Sequence, residues 1–212
     1  EKMSLIDVIM EAIQGDANFR VFKAEQNAKA GNEFKYGELT MQEKSKLGKS
    51  ENLIDTRIDE YGDAVFDDLG NVVYDTIIGK DFDRTNVKKW KVKEEWFFDK
   101  KRSTMNVRIV AICPVMEIPE EDFREEDMFW IYFPDFRDLL VQTKVSNFTK
   151  NNAQERSYLG IFEKRMFGSK ILQESNIMNR QISDYMIGLD ALLESERIKE
   201  EIFNIEHDMW EY

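Results

Sequence analysis

Between Val87 and Phe98 apolar and charged side chains alternate, with Trp90, Val92, Trp96 and Phe98 on one face and Lys89, Lys91, Lys93 and Glu95 on the other. A period of two marks a strand buried on one side. After a six-residue polar connection, Asp99-Lys100-Lys101-Arg102-Ser103-Thr104, the chain returns as Met105 to Met116, apolar on both faces near its middle. The pattern predicts a long antiparallel hairpin at about 87–116 whose second strand lies deeper in a sheet. Glu94 interrupts the apolar face, and a local bulge at Glu94-Glu95 is expected to turn it outward rather than bury it as a catalytic acid. Residues 117–127 read as a strongly acidic connection. A further strand is predicted at 128–133, where Met128-Phe129-Trp130-Ile131-Tyr132-Phe133 is apolar on both faces. Pro134 suits a first helical position, and Phe136, Leu139 and Leu140 form a short helical stripe through Val141.

The flanks read as helix and loop. Ser4-Leu5-Ile6-Asp7 resembles a capping box, and Leu5, Ile9, Ala12 and Ile13 recur at helical spacing before Gly15. Residues 23–50 are polar with little periodicity, so a mobile loop is expected, followed by a short helix at the second capping pattern, Thr40-Met41-Gln42-Glu43. From Glu51 to Asp83 ten acids face two bases, a local charge of −8, and Gly70-Asn71 between two short apolar runs signals a hairpin. The remainder predicts helices at roughly 153–167 and 169–179 and a long one from about Ser183 to Trp210. In that last helix Tyr185, Leu189 and Leu192 form one stripe and Ile198, Ile202, Ile205 and Met209 another, out of phase by about 120°. Either the helix breaks near Ser195 or its buried face rotates, and one stripe is a candidate partner surface. The resulting class is α+β: an antiparallel sheet around the long hairpin, with the strand at 128–133, packed with C-terminal helices in a single domain over 1–212.

Composition narrows the function. The 212 residues are 42% hydrophobic, enough for a core, and carry 30 Lys+Arg against 42 Asp+Glu for a formal charge of −12. No apolar run reaches the ~18 residues of a membrane span, and the acidic balance argues against nucleic acid. Cys113, alone in an apolar run, reads as a small core residue, and it does not decide between compartments. Adjacent helical residues point about 100° apart, so Glu206-His207-Asp208 is no prebuilt triad. One Cys and one His do not make a zinc site, and Asp63, Asp67, Asp68 and Asn71 lack the spacing of a calcium loop, so no cofactor is expected. No glycine-rich phosphate loop is present, and nothing singles out a carboxylate pair for hydrolysis.

Charge is unevenly spread. Residues 88–102 hold seven bases against three acids, a net of +4, so the rest of the chain sums to −16. A basic ribbon on an acidic body points to a protein partner. The candidate partner-binding residues are therefore Lys88, Lys89, Lys91, Lys93, Lys100, Lys101 and Arg102, with Trp210 and Tyr212 as aromatic anchors at the C-terminus. The ordinary alternative is an edge strand guarded by lysines.

Specific strings add a resemblance. Glu95-Trp96-Phe97-Phe98-Asp99-Lys100-Lys101-Arg102-Ser103 runs into Val107-Arg108-Ile109, then come Phe129-Trp130-Ile131-Tyr132-Phe133-Pro134 and Arg137. Phe162-Glu163-Lys164-Arg165-Met166-Phe167, Glu174-Ser175-Asn176, Arg180, Glu194-Ser195-Glu196-Arg197-Ile198-Lys199 and the closing Glu206-His207-Asp208-Met209-Trp210-Glu211-Tyr212 follow in order. In this order and spacing the chain resembles the GldN/PorN family of the Bacteroidetes type IX secretion system, closely from Lys88 on and more loosely over 1–87. The resemblance implies a periplasmic, non-enzymatic structural subunit needed for secretion and, in gliding species, motility. It implies self-association in a ring, an outer-membrane lipoprotein partner of the GldK/PorK type, and contact with the periplasmic part of a GldM/PorM-type inner-membrane protein. Family members carry a signal peptide and further residues before this point, so a sequence opening on Glu1 is expected to be a mature-protein fragment. The competing readings are a soluble periplasmic adaptor or chaperone and a carboxylate-dependent hydrolase.

Overall fold

The computed structural model describes residues 3–15, 18–26, 36–47, 53–56, 74–77, 83–102, 104–118, 124–145, 156–178 and 180–208. In chain order these form α1 (Leu5–Gly15), β1 (Val21–Gln26), β2 (Tyr36–Glu38), α2 (Met41–Lys46), β3 (Leu53–Thr56), β4 (Tyr74–Ile77), β5 (Val87–Asp99) and β6 (Thr104–Ile118). There follow β7 (Arg124–Asp127), β8 (Phe129–Tyr132), α3 (Phe133–Gln142), β9 (Lys144–Val145), β10 (Arg156–Ser157), α4 (Tyr158–Glu163) and α5 (Leu189–Asp208). Three-residue 3₁₀ turns precede β5 and α5, at Arg84–Asn86 and Ile182–Asp184. The protein is α+β. Its main sheet is ordered β2-β1-β8-β6-β5, with β7 also paired to β6. Short antiparallel ladders join β3 to β4 and β9 to β10.

Packing divides the chain into two compact units. One comprises Met3–Lys91 and Ala111–Asp135, the other Val92–Val110 and the chain from Phe136 on, so the boundary falls within β5, β6 and α3. In the first unit Val21 pairs with Ile131, which pairs with Ile112, and this row across β1, β8 and β6 is fully buried. On the alternate positions Ala111, Cys113 and Trp130 form a buried cluster with Phe22 against it. The apolar stripe of α1 buries Ile6, Ile9, Met10 and Ile13, and the Asp7 N–H donates to the Ser4 hydroxyl at 3.3 Å to cap it. Both arms of the second capping box form at α2. Thr40 N–H donates to Glu43 at 2.8 Å and Glu43 N–H to the Thr40 hydroxyl at 3.4 Å.

A bulge explains a proline in a central strand. Ile112 pairs with Ile131 and Val115 with Asp127, so β6 advances three residues while its partner advances four. The extra residue is Met128, whose N–H donates to the Pro114 carbonyl at 3.1 Å. A strand residue's N–H and C=O leave on the same side, so the donor that Pro114 lacks falls where the ladder is already interrupted.

Several elements depart from the sequence reading. Residues 21–26 and 36–38, expected as loop from 23 on, are strands, because Val21, Phe22 and Lys23 take partners on β8. The acidic connection at 117–127 instead extends β6 to Ile118 and returns as β7. Among the described residues of the expected 153–167, helix covers Tyr158–Glu163 alone, and the described part of 169–179 holds no helix. The last helix starts at Leu189 rather than near 183, because Gly188 takes a left-handed φ of 60° that closes the preceding turn. It then runs unbroken past Ser195. The predicted hairpin at Gly70-Asn71 and the acidic group around Asp67 lie outside the described residues.

Candidate interaction surfaces

The lysines of β5 are committed within the fold. In the first unit Lys88 reaches Glu117 at 2.9 Å, Lys89 bridges Glu117 at 3.3 Å and Glu125, and Lys91 meets Asp127 at 2.7 Å. Lys89 and Lys91 thus span β6 to reach β7. The basic stripe read from the sequence is half of a charge ladder whose other half is the acidic 117–127 stretch. Lys88 and then Lys89 hold the Glu117 carboxyl below its ordinary range, and hydrogen bonds to Glu125 and Glu117 raise Lys89. A run of +4 on paper is therefore largely neutral at its base.

The second unit holds the cationic remainder. Lys100 and Lys101 sit exposed in the turn after β5, where the Lys101 backbone N–H donates to Asp99 at 2.9 Å but neither side chain has a carboxylate partner among the described residues. Arg102 stands 3.9 Å from Asp99 with its side chain 79% exposed. Phe97, beside them, is half exposed. Lys93 is partly buried along β5. Trp210 and Tyr212 lie outside the described residues.

Glu94 resolves differently from the expected bulge. It shares a face with Trp96, whose indole N–H donates to it at 3.3 Å, and Arg165 pairs with it at 2.7 Å. The same guanidinium lies 5.6 Å from the Trp96 ring centre and 5.7 Å from that of Phe167. Glu94 and Trp96 therefore lie on one face, and a cation 71 positions away neutralises the carboxylate there. Arg165 has a φ of 50° at the end of α4, a conformation few side-chain-bearing residues adopt, so here it closes the helix and caps the aromatic pair. Sequence reading missed this cluster because nothing local joins Arg165 to Glu94.

Helix α5 carries two stripes at heptad-like spacing. Ser195 and Ile198 are buried and Ala191 and Ile202 partly so, and the Ser195 hydroxyl accepts the Ile171 N–H at 2.8 Å. The other stripe is Leu189, Leu193, Glu196, Glu200 and Phe203, at i, i+4, i+7, i+11 and i+14. Leu189 is 70%, Leu193 60% and Phe203 65% exposed, and Ile187 just before the helix is 87% exposed. Beside Leu193 an open groove of about 460 Å³ is lined by Met186, Asp190, Glu194 and Arg197. Of the two stripes noted in the sequence, Leu189–Leu192 is exposed, while the other is buried at Ile198, partly buried at Ile202 and half exposed at Ile205, with Met209 outside the described residues. The exposed stripe continues through Leu193 and Phe203 as a heptad interrupted by two glutamates.

Other candidates are structural. Burial pushes the Cys113 thiol up to about 12, so it stays protonated within the sheet. His207 sits exposed in the last turn of α5, the end that favours a cation. Among the described residues no group of His, Cys, Asp and Glu is arranged to hold a metal ion, and no helix is long and apolar enough to cross a membrane.

The carboxylates imply an acid limit. Asp7 is lowered chiefly by the Ser4 hydroxyl, Asp135 by Arg20, Glu194 by Arg197, and Glu43 to about 2 by the Thr40 N–H. A folded pKa below the unfolded value contributes stability above the unfolded pKa, and this is lost as pH falls through the folded one. The urea midpoint is therefore expected to decline between pH 4.5, the ordinary Glu value, and about 2. A midpoint that stays flat across that window contradicts the pairing.

Charge-paired strands, a cationic hairpin turn and an apolar helix stripe together describe an α+β protein whose distinctive features lie on its surface. The chain belongs to the GldN family: the family model of the gliding motility associated protein GldN matches residues 1–211, and so includes the stretch before Lys88. No match was found among curated proteins.

Proposed function

We propose that the chain is a structural, non-enzymatic subunit of the type IX protein secretion machinery. In this reading it works in the periplasm, held at the outer membrane by a GldK/PorK-type lipoprotein with which it forms a ring. It also meets the periplasmic part of a GldM/PorM-type inner-membrane protein. The observation that carries the reading is the family match over residues 1–211. The neighbouring exposed apolar side chains at the start of α5, Ile187, Leu189, Leu192 and Leu193, are compatible with it, since single exposed side chains are ordinary but a cluster marks an interaction site.

Genetic removal of the protein from a gliding bacterium is the direct test. The expected result is loss of gliding and of type IX cargo from the medium, both restored by the intact gene. Purification with the lipoprotein should give a stoichiometric complex of very large mass. A small complex of a few chains supports an adaptor or chaperone instead, and normal secretion in the deletion strain overturns the reading.

A further inference from the structure

We infer that the exposed stripe of α5 is the docking face for the cationic hairpin turn of a second copy of this chain, in a head-to-tail contact. Two surfaces of one unit complement each other. The helix face joins Leu189, Leu193 and Phe203 to Glu196 and Glu200, with Asp190 on the adjacent groove, and from Leu189 to Asp208 seven acids face two bases. The turn joins the half-exposed Phe97 to Lys100, Lys101 and Arg102. One surface is apolar and anionic, the other aromatic and cationic.

The pairing of β5 makes the match selective. Lys88, Lys89 and Lys91 already hold Glu117, Glu125 and Asp127, so the hairpin presents unspent positive charge at its turn. On the helix Glu194 is held by Arg197 at 2.7 Å, whereas among the described residues Glu196 faces only Lys199, at 3.5 Å. The groove beside Leu193 offers an apolar floor edged by Asp190 for the Phe97 ring, and the flanking acids meet the three cations. Each copy carries both surfaces, so the contact is heterologous and propagates until it closes on itself. Buried aromatic anchors supply affinity in such a contact, and charges set register and on-rate.

The inference deepens the ring reading and rests on it, but the two fail separately. The test is a charge swap read by native mass and sedimentation of the full 212-residue chain over a concentration and salt series. The tip variant is Lys100→Glu, Lys101→Glu, Arg102→Glu. The helix variant is Asp190→Lys, Glu196→Lys, Glu200→Lys. All six positions are exposed, and circular dichroism checks that both variants fold.

The wild-type chain is expected to self-associate, more weakly as salt screens the contact. Each variant alone should lose association by about tenfold or more. Mixing the two variants one to one should restore it, because each reversed surface then meets its complement. A monomeric wild type, variants that associate as wild type does, or a mixture that stays monomeric each overturns the contact. If both variants still build the large complex with the lipoprotein, the contact is wrong and the ring reading stands. If the wild type builds no complex with the lipoprotein, the ring reading itself fails.

Discussion

Replacing Phe129 with alanine is expected to lower the unfolding free energy by about 3–5 kcal/mol, the range for emptying a phenylalanine site in a packed core. Phe129 opens β8, the strand between β1 and β6, and is fully buried. It pairs with Lys23 in the β1 ladder, one residue beyond the bulge at Met128. Its neighbours are fixed in hydrogen-bonded strands on both sides, so the site has little freedom to collapse around the lost ring. The loss is then the transfer of the ring from water plus the cavity left behind. Urea denaturation followed by tryptophan fluorescence measures it. A loss under about 1 kcal/mol would show that the β8 core relaxes or that Phe129 is not buried in solution. The conservative Phe129→Leu, which keeps most of the volume, should lose less than half as much.

What could be read from the sequence followed the range of the signal. Alternation over twelve positions made the β5–β6 hairpin plain, and six consecutive apolar residues marked β8, because period and length are local properties. β1 was hidden. Val21-Phe22-Lys23-Ala24 sits beside a polar tract with no alternation of its own, and it becomes a strand through partners more than a hundred residues away on β8. Tertiary pairing overrode propensity there. The reverse error occurred at 169–179, where Ile171, Leu172, Ile177 and Met178 invite a helix, yet the backbone is held by specific bonds. Ile171 N–H goes to Ser195 and Ile182 N–H to the Leu172 carbonyl at 2.9 Å. Gly188 is a helix-breaking residue inside the apolar stripe, and α5 begins just after it rather than near Ser183.

The interaction surfaces show the same division. Net charge along the chain identified the basic 88–102 segment and the acidic 117–127 segment, but not that they neutralise one another. That follows only once β7 folds back onto β6 and brings Glu125 and Asp127 within reach of Lys89 and Lys91. A charge count in sequence order therefore overstated the free positive surface of the hairpin. The phase difference between the two stripes of α5 was the more dependable clue, since helical geometry alone requires that both cannot face one neighbour.

Removing the carboxylate of Asp135 should be the largest loss from any single polar change. Arg20 grips it with two parallel bonds, Nε to Oδ2 at 2.7 Å and Nη2 to Oδ1 at 2.8 Å, and the Arg20 backbone N–H adds a third at 3.3 Å. The guanidinium also stacks 4.1 Å from the Tyr132 ring centre. The contact ties the residue before β1 to the first turn of α3, and it neutralises a carboxylate whose side chain is only 20% exposed. Bidentate charge-assisted pairs contribute about 1.5–3 kcal/mol. The Arg20 side chain is half in water, and solvent screening moves the expected loss for Asp135→Ala toward the lower end. Asp135→Asn separates charge from shape, since the amide keeps one acceptor oxygen but offers the guanidinium a donor where it needs an acceptor. Arg20→Lys should fall between wild type and Asp135→Ala, because a point charge cannot reproduce the fork or the stack on Tyr132. The difference between wild type and Asp135→Ala should also shrink as pH falls below 3.8, the ordinary Asp value, because the carboxylate of the unfolded chain then takes up a proton while the folded one, held lower by Arg20, keeps its charge until the pH falls further. A difference that holds constant down to pH 2 would mean that packing, and not the ion pair, sets the effect at this position.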